Sequence, residues 1–265
     1  MIVAGIDVGS RTTGATLLEN ERIVSYSIIS TGPESTKTAY EGMKEALKNH
    51  GISFDTIDYI VATGYGRVMV PFANKIITEI SCHAKGAHWY FPTVRTVLDM
   101  GGQDCKAIRV DNEGNPIKFA MNDKCAAGTG RFLEIMAEML NLSLEDFSTL
   151  PLKSNNEVRI SSTCAVFAKS EVISLIKRRM PKEDVVAGLH EAVAERVYGL
   201  LRRVGVEKDF VISGGIAKNM GIVSKIEKKV GLKILIPDEP QIVGALGAAL
   251  LAKENFLNEK MIKTA

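Results

Sequence analysis

The chain has 265 residues, of which 46% are hydrophobic and 24% charged, and this composition excludes a disordered or collagen-like protein. Its 33 Lys and Arg residues nearly balance its 31 Asp and Glu residues, so the net charge of +2 offers no strong field for nucleic acid or an anionic membrane. No apolar run reaches the ~20 residues of a membrane span, and the apolar start lacks the basic flank of a signal peptide. We therefore expect a cytoplasmic, reducing setting with free or metal-binding cysteines.

The first third of the chain predicts a β-meander followed by a helix and a strand. β-branched and alternating runs separated by Gly- and Asn-containing turns indicate the strands, and a stripe of apolar residues indicates the helix. The predicted strands are Ile2–Val8, Ala15–Glu19, Arg22–Tyr26 and Ile57–Ala62, the predicted turn is Gly9–Gly14, and the predicted helix is Ser35–Lys48.

The middle of the chain repeats the opening pattern. A strand from Thr93 to Leu98 leads into Asp99-Met100-Gly101-Gly102-Gln103-Asp104, and a second strand, Cys105–Val110, follows. Asp7 stands in the same way between the first strand and its glycine turn. This weak self-similarity predicts two related halves rather than a solenoid.

The last part of the chain alternates helices with short strands. Apolar spacing predicts a helix over Phe132–Leu140, another that starts near Cys164, and a long one that Pro181 opens. Strands are expected at Asp209–Ser213, which leads into Gly214-Gly215 and another helix, and at Leu232–Ile236. A helix of small residues at Val243–Leu250 is able to pack closely against a neighbour.

Two aspartates at strand ends, each beside a glycine-rich turn, favour a nucleotide site. The chain has no G-x-x-x-x-G-K-[ST] sequence and no G-x-G-x-x-G after its first strand, which argues against P-loop and Rossmann proteins. Glycine turns can direct backbone N–H groups at phosphate oxygens, and Asp7 and Asp99 can hold Mg²⁺ through water. The pair Gly214-Gly215 follows a third strand, where exposed backbone can meet a nucleotide.

In chain order, these three pieces resemble the superfamily of acetate and sugar kinases, heat-shock protein 70 and actin. The resemblance implies an α/β, actin-like (ribonuclease H-like) ATPase fold of two related subdomains, each a mixed sheet with flanking helices. Residues 1–95 and the C-terminal helix 240–265 would form the first subdomain, and residues 96–239 the second. The implied nucleotide-binding residues are Asp7, Gly9, Ser10, Arg11, Thr12, Thr13, Gly101, Gly102, Gly128, Gly130, Gly214, Gly215 and Ile216.

The cysteines Cys125 and Cys164 are predicted to lie where helices begin, at positive helix ends that stabilise thiolates. Neither belongs to a C-x-x-C pair, and two ligands cannot hold a four-iron cluster, which needs about four thiolates. A twofold dimer supplies that number from two chains. On spacing alone, burial of each cysteine as a small hydrophobic residue remains the alternative.

The segments around these cysteines resemble the activator (component A) of 2-hydroxyacyl-CoA dehydratases, a family that includes the ATPase subunits of benzoyl-CoA reductase. The segments that carry the resemblance are Asn122–Glu134, Ser161–Glu171, Ala62–Arg67, Ser81–Ala84 and Asp99–Asp104. It implies that Cys125 and Cys164 of two subunits hold one [4Fe-4S] cluster. Cys105 is expected in the core, and Cys82 and His83 are not ligands in the family. A departure at Gly14 weakens the assignment of side chains in the first phosphate loop.

The resemblance implies an ATP-driven one-electron donor that acts as a homodimer with ATP or ADP and Mg²⁺. Ferredoxin or flavodoxin would supply the electron, and the acceptor would be an iron–sulfur dehydratase, a reductase or a double-cubane protein. Asp99, Gln103 and Asp104 are the candidates for catalysis of ATP hydrolysis. ATP is expected to act on the cysteines through the hairpin at Cys105–Val110.

Two alternatives belong to the same superfamily. One is a small-molecule kinase of the N-acetylhexosamine or pantothenate type, with Asp99 or Asp104 as the base toward a hydroxyl. The other is an actin-like or chaperone ATPase without a redox function.

Overall fold

Two mixed five-stranded sheets form the framework of the protein, whose computed structural model describes residues 1–156, 158–161 and 164–264. The first sheet has the order β3-β2-β1-β4-β5, in which β1 pairs antiparallel with β2 and parallel with β4. Its strands are β1 (Ile2–Val8), β2 (Thr12–Glu19), β3 (Arg22–Ser30), β4 (Tyr59–Thr63) and β5 (Lys75–Ile76).

The second sheet repeats this arrangement. Its order is β8-β7-β6-β9-β10, with β6 antiparallel to β7 and parallel to β9. The prediction of two related halves is therefore confirmed. The strands are β6 (Thr96–Met100), β7 (Cys105–Val110), β8 (Pro116–Asn122), β9 (Phe210–Ser213) and β10 (Ile234–Leu235).

The first turn is shorter than predicted. The returning strand begins at Thr12 rather than Ala15, because Thr12 and Thr13 pair with Ser30 and Ile29 of β3. Only residues 9–11 remain between β1 and β2, and Gly9 N donates a hydrogen bond of 3.0 Å to Thr12 O. This places the glycine turn directly at the end of the sheet.

Eight helices flank the sheets in the described part of the chain. Most follow the predicted apolar stripes, but α2, α4 and strands β5 and β8 have no counterpart among the predicted elements, and α8 continues well beyond Leu250. None of the described helices is long and apolar enough to cross a membrane. The helices are α1 (Ser35–His50), α2 (Glu79–Tyr90), α3 (Gly130–Met139), α4 (Leu144–Thr149), α5 (Ala165–Lys177), α6 (Lys182–Val204), α7 (Met220–Val230) and α8 (Val243–Thr264).

Helix α8 packs against β1, β2 and β4 of the first sheet and against α2. Helix α2 in turn also contacts β6, β7, β8 and β9 of the second sheet, so it joins the two halves. The subdomain boundaries at residues 95 and 239 stay a prediction, and Ala265 at the end of the C-terminal segment lies outside the described residues.

The contact between α2 and α8 depends on glycine, as the small-residue pattern of α8 predicts. A Cβ atom on Gly247 would overlap the carbonyl oxygen of Cys82, and one on Gly86 would overlap the carbonyl oxygen of Val243. The two helix backbones therefore touch where a larger side chain has no space.

We expect Gly247→Ala to destabilise the protein by about 3 kcal/mol, because the added methyl group meets rigid backbone. The matched control is Gly199→Ala in α6, where no heavy atom lies within 4 Å of the added Cβ. That change should stabilise the helix slightly, since alanine is the better helix former. Thermal unfolding followed by circular dichroism measures both, and equal melting temperatures would contradict the close contact.

Candidate nucleotide site and cysteine pair

A cavity of about 690 Å³ is lined by residues from both halves of the protein. It contains most of the predicted nucleotide and catalytic residues, brought together from β1, β6, the turns that follow them, the start of α3 and the segment after β9. These are Asp7, Gly9, Ser10, Arg11, Thr12, Asp99, Gly101, Gly102, Gln103, Asp104, Gly130, Gly214, Gly215 and Ile216. Two predicted residues do not line it. Thr13 is buried with its hydroxyl 2.9 Å from that of Thr31, and Gly128 lines a second cavity.

The two glycine turns have the same hydrogen-bonding pattern. Gly9 N donates to Thr12 O at 3.0 Å, and Gly101 N donates to Asp104 O at 3.0 Å. Each turn closes a β-hairpin of its own sheet, and both border the same cavity. A polyphosphate between them would meet backbone from both halves.

The third glycine segment packs onto the second turn. Gly214 has a φ of 82°, and a Cβ there would lie 2.6 Å from Met100 O, so only glycine fits without strain. Ser213, the last residue of β9, lies beside Asp99 in the parallel register. The predicted adenosine and phosphate segments are thus in direct contact.

A buried group of charges lies at the base of the cavity. Asp99 is only 4% exposed, and its Oδ2 lies 3.2 Å from Nζ of the buried Lys106 and 3.5 Å from Nε2 of His83. Lys106 also binds Asp104 at 2.8 Å, and His83 Nε2 lies 3.7 Å from Asp7 Oδ2. The Nδ1 atom of His83 is 3.0 Å from the hydroxyl oxygen of Ser213.

These contacts set the charges of the group. Burial raises the pKa of Asp99, but His83 and Lys106 outweigh it, so the pKa lies below its ordinary value. Burial lowers the pKa of His83, but Asp99 and Asp7 more than compensate and raise it. Burial, with some help from Asp99, raises the pKa of Asp104 despite the opposing Lys106. Asp99 is therefore the fixed anion, and Asp104 is the better proton acceptor of the two.

Lys106 and His83 belong to the site, although the sequence did not predict them there. A signal for Lys106 exists, because a turn over Gly101–Asp104 pairs Met100 with Cys105 and therefore Asp99 with Lys106. No comparable local signal exists for His83, which α2 brings in from outside the two hairpins. The sequence of residues 81–84 carries part of the family resemblance, but it does not indicate a role for the imidazole of His83.

The oxygen donors at this position suit Mg²⁺. The cation usually binds one or two carboxylates together with water and substrate phosphates. Asp7 and Asp99 both line the cavity, and the Nε2 atom of His83 lies near both of their carboxylates. Asp7 and Asp99 are therefore the residues that would hold Mg²⁺ beside a bound polyphosphate.

We expect Lys106→Met to cost roughly 3 kcal/mol of stability, because it removes the buried cation that binds the buried Asp99 and the partly exposed Asp104. Lys85→Met is the matched control, since it removes a lysine that pairs with Glu254 at 2.7 Å on a more exposed surface. The control should cost less than about 1 kcal/mol. Urea unfolding of both proteins gives the comparison, and similar losses would contradict the burial of this charge group.

The four cysteines divide into two buried and two accessible residues. Cys82 and Cys105 are fully buried, which confirms Cys105 as a core residue, and burial raises the pKa of Cys82 to about 12. Cys125 is half-buried and Cys164 is exposed. The predicted pair is thus the one that a metal or a partner can reach.

The two accessible cysteines differ in local structure. Cys164 caps the N-terminus of α5, as predicted, although the neighbouring Ser162 and Thr163 lie outside the described residues. The prediction that Cys125 begins a helix is wrong, because α3 starts only at Gly130. The side chain of Asn122 donates to the carbonyls of Cys125 and Ala127 at 2.9 and 3.1 Å and holds this segment as a turn.

The donor set suits an iron–sulfur cluster only when it is doubled. Thiolates are the usual ligands of such clusters, and each chain offers two accessible thiols. Among the described residues, no group of three or more His, Cys, Asp or Glu side chains could hold a metal within one chain. Two copies of Cys125 and Cys164 around a twofold axis would provide the four thiolates.

Helix α3, which follows the Cys125 turn, is hydrogen-bonded directly to the second glycine turn. Gly130 N donates to Gly101 O at 3.0 Å, and Arg131 N donates to Gly102 O at 2.8 Å. From the first turn, Arg11 reaches Glu134 of α3 with Nη2–Oε2 and Nε–Oε1 distances of 2.8 and 3.2 Å. Both glycine turns are therefore in direct contact with α3, whereas the expected path to Cys125 runs through β7.

Comparisons with known proteins agree with this architecture. The (R)-2-hydroxyglutaryl-CoA dehydratase activating ATPase of Acidaminococcus fermentans is 45% identical over 94% of this chain and 95% of its own. The activator of the 2-hydroxyisocaproyl-CoA dehydratase from Clostridium difficile, solved with bound ADPNP, superposes with a TM-score of 0.93 at 42% identity, covering 98% of this chain and 97% of that one. The predicted actin-like ATPase fold is thereby confirmed.

Sugar kinases are more distant. A ROK family glucokinase from Streptomyces griseus has a TM-score of 0.56 and 13% identity over 96% of this chain and 99% of its own, a likeness that shows the fold alone. In contrast, a family model matches residues 4–252. The chain belongs to the BadF/BadG/BcrA/BcrD ATPase family.

Proposed function

We propose that the protein is an ATP-driven one-electron donor that activates a partner iron–sulfur enzyme. In this proposal two copies of the chain form a homodimer, and Cys125 and Cys164 of each copy hold one shared [4Fe-4S] cluster. When bound, the cluster would hold one electron and pass it to the acceptor. ATP hydrolysis in each cavity would drive the transfer.

The observation that carries the proposal is the direct bonding of α3 to the second glycine turn. Nucleotide bound between the turns would contact Gly101 and Gly102, whose carbonyls accept hydrogen bonds from Gly130 and Arg131. A shift of the turn would therefore move the start of α3, and with it the adjoining turn that carries Cys125. A ligand shifts such an equilibrium only through different contacts in its two states, and the γ-phosphate is the group that differs between ATP and ADP.

The chain's own residues suit the hydrolysis of ATP. Asp7 and Asp99 would hold Mg²⁺, and the backbone of the two turns would bind the phosphates. Gln103 and Asp104 both line the cavity and are the candidates to orient and deprotonate the attacking water. The raised pKa of Asp104 favours it as the proton acceptor.

The surface beside Cys164 supports a dimer. Val166 and Phe167, in the first turn of α5, are 70% and 67% exposed. Large apolar side chains that face solvent together are typical of protein–protein interfaces. Their position next to an exposed cysteine fits an interface that buries them and brings two copies of Cys164 together.

The partners follow from the family. Named relatives are activators of 2-hydroxyacyl-CoA dehydratases, and we propose a dehydratase, a benzoyl-CoA reductase or a related double-cubane protein as the acceptor. The electron donor would be ferredoxin or flavodoxin. Within the part of the chain that the structure describes, no contact favours the small-molecule kinase or the purely actin-like ATPase over this function.

Purification without oxygen tests the proposal. We expect a brown homodimer with about four irons, which hydrolyses ATP and passes electrons to an iron–sulfur acceptor only when ATP is present. A colourless protein that hydrolyses ATP would contradict the proposal and support the actin-like ATPase. Phosphorylation of a small-molecule hydroxyl would support the kinase instead.

We expect Phe167→Asp to convert the dimer into monomers, because it places a charge in the apolar surface beside Cys164. Phe119→Asp is the matched control, since Phe119 is 56% exposed but lies on β8. Light scattering after anaerobic gel filtration measures the mass. A dimer that survives Phe167→Asp but not Phe119→Asp would place the interface elsewhere.

A further inference from the structure

Arg196 of α6 contacts one of the two accessible cysteines. Its Nη1 atom donates a hydrogen bond of 3.1 Å to Cys125 Sγ, across 71 positions of sequence. A guanidinium keeps its proton at all ordinary pH values. The contact therefore places a permanent positive charge against this sulfur.

The turn that carries Cys125 is shaped around this arginine. Gly128 has a φ of +93°, and a Cβ atom there would lie 3.1 Å from Cδ and 3.2 Å from Cγ of Arg196. Asn122 fixes the same turn through the carbonyls of Cys125 and Ala127. The stem of Arg196 is therefore packed under the turn while its head reaches the sulfur.

Arg196 also lies between the segments that lead to both cysteines. It lines a cavity of about 580 Å³ together with Ala127 and Gly128 on one side and residues 158–161 on the other. The nearby carboxylates of Glu191 and Glu195 are each bound by Lys229 at 2.5 Å. In the described ranges, no ion pair joins a carboxylate to Arg196, so its charge is directed at Cys125.

We propose that Arg196 sets the reduction potential of the cluster by stabilising its reduced form, an inference that rests on the proposed function. Hydrogen bonds to ligand sulfurs and nearby charges are main determinants of the potential of an iron–sulfur cluster. A fixed cation stabilises the added electron and so raises the potential. Reduction by the donor protein becomes easier as a result.

The test is a redox titration of the anaerobic dimer with ADP bound, monitored by electron paramagnetic resonance. We expect Arg196→Gln to make reduction about tenfold less favourable, a fall of about 59 mV for a one-electron couple. Arg196→Lys keeps the charge without the planar fork and should give a smaller fall. Arg203→Gln, an exposed charge change on the same helix, should leave the potential unchanged.

The possible outcomes distinguish failure of the proposed function from failure of the role of Arg196. A wild-type chain without a cluster overturns the proposed function itself. A full cluster whose potential is the same in Arg196→Gln and wild type overturns only the role of Arg196. If Arg196→Gln does not retain iron, Arg196→Met decides, because it also removes the charge but keeps an unbranched apolar stem under the turn. A lowered potential in that variant supports the role, and an unchanged one overturns it.

Discussion

Asp99→Asn lowers the rate of ATP hydrolysis about a hundredfold and leaves the iron content of the dimer unchanged, if Asp99 holds the nucleotide's Mg²⁺ through water. The amide has nearly the shape of the carboxylate but lacks the charge that Lys106 and His83 keep in place. The measurement is phosphate release under saturating ATP, with iron and labile sulfide determined on the same sample.

The control for this change is Glu113→Gln, in the exposed turn that joins β7 to β8. It also replaces a carboxylate by an amide, but in the neighbouring hairpin of the same sheet and outside the cavity, so its turnover should equal that of the wild type. Near-normal hydrolysis by folded Asp99→Asn would show that this carboxylate is not part of the phosphate site.

Cys164→Ser and Cys125→Ser each abolish the iron–sulfur absorbance of the dimer. The twofold arrangement multiplies the effect, because one substitution per chain removes two of the four ligands. Visible absorption and iron content after anaerobic purification are the measurements. Nucleotide binding should persist in both proteins, since neither sulfur lines the nucleotide cavity.

Cys105→Ser is the matched control for these two proteins. Cys105 is fully buried in β7, with its thiol in the core rather than at an accessible surface. A serine there should reduce stability modestly while the absorbance stays. A full cluster in Cys164→Ser would remove that residue from the ligand set and with it the shared site.

The strands that frame the site were predictable because their signals are local. β1 and β7 have their predicted bounds, and the repeated sequence of strand, aspartate and glycine turn corresponds to two sheets of the same order. Long amphipathic helices such as α6 were predictable for the same reason. Their apolar spacing needs no knowledge of what they pack against.

The missed parts depend on contacts between distant segments. Helix α2 buries small residues such as Ala84 and Gly86 instead of a large apolar stripe, so neither the helix nor the position of His83 is visible in the pattern. The turn at Cys125 is held by the side chain of Asn122 and by packing on Arg196. Both depend on tertiary structure, which overrides the local preference for an earlier helix start.

The most direct test of the account is whether nucleotide changes the cluster. We would reduce the dimer, bind ADP or a non-hydrolysable ATP analogue, and record the electron paramagnetic resonance spectrum and the rate of iron removal by a chelator. If α3 transmits the state of the second glycine turn to Cys125, both quantities differ between the two nucleotides. Identical spectra and identical chelation rates, with binding of both nucleotides confirmed separately, would mean that ATP and the cluster are not coupled.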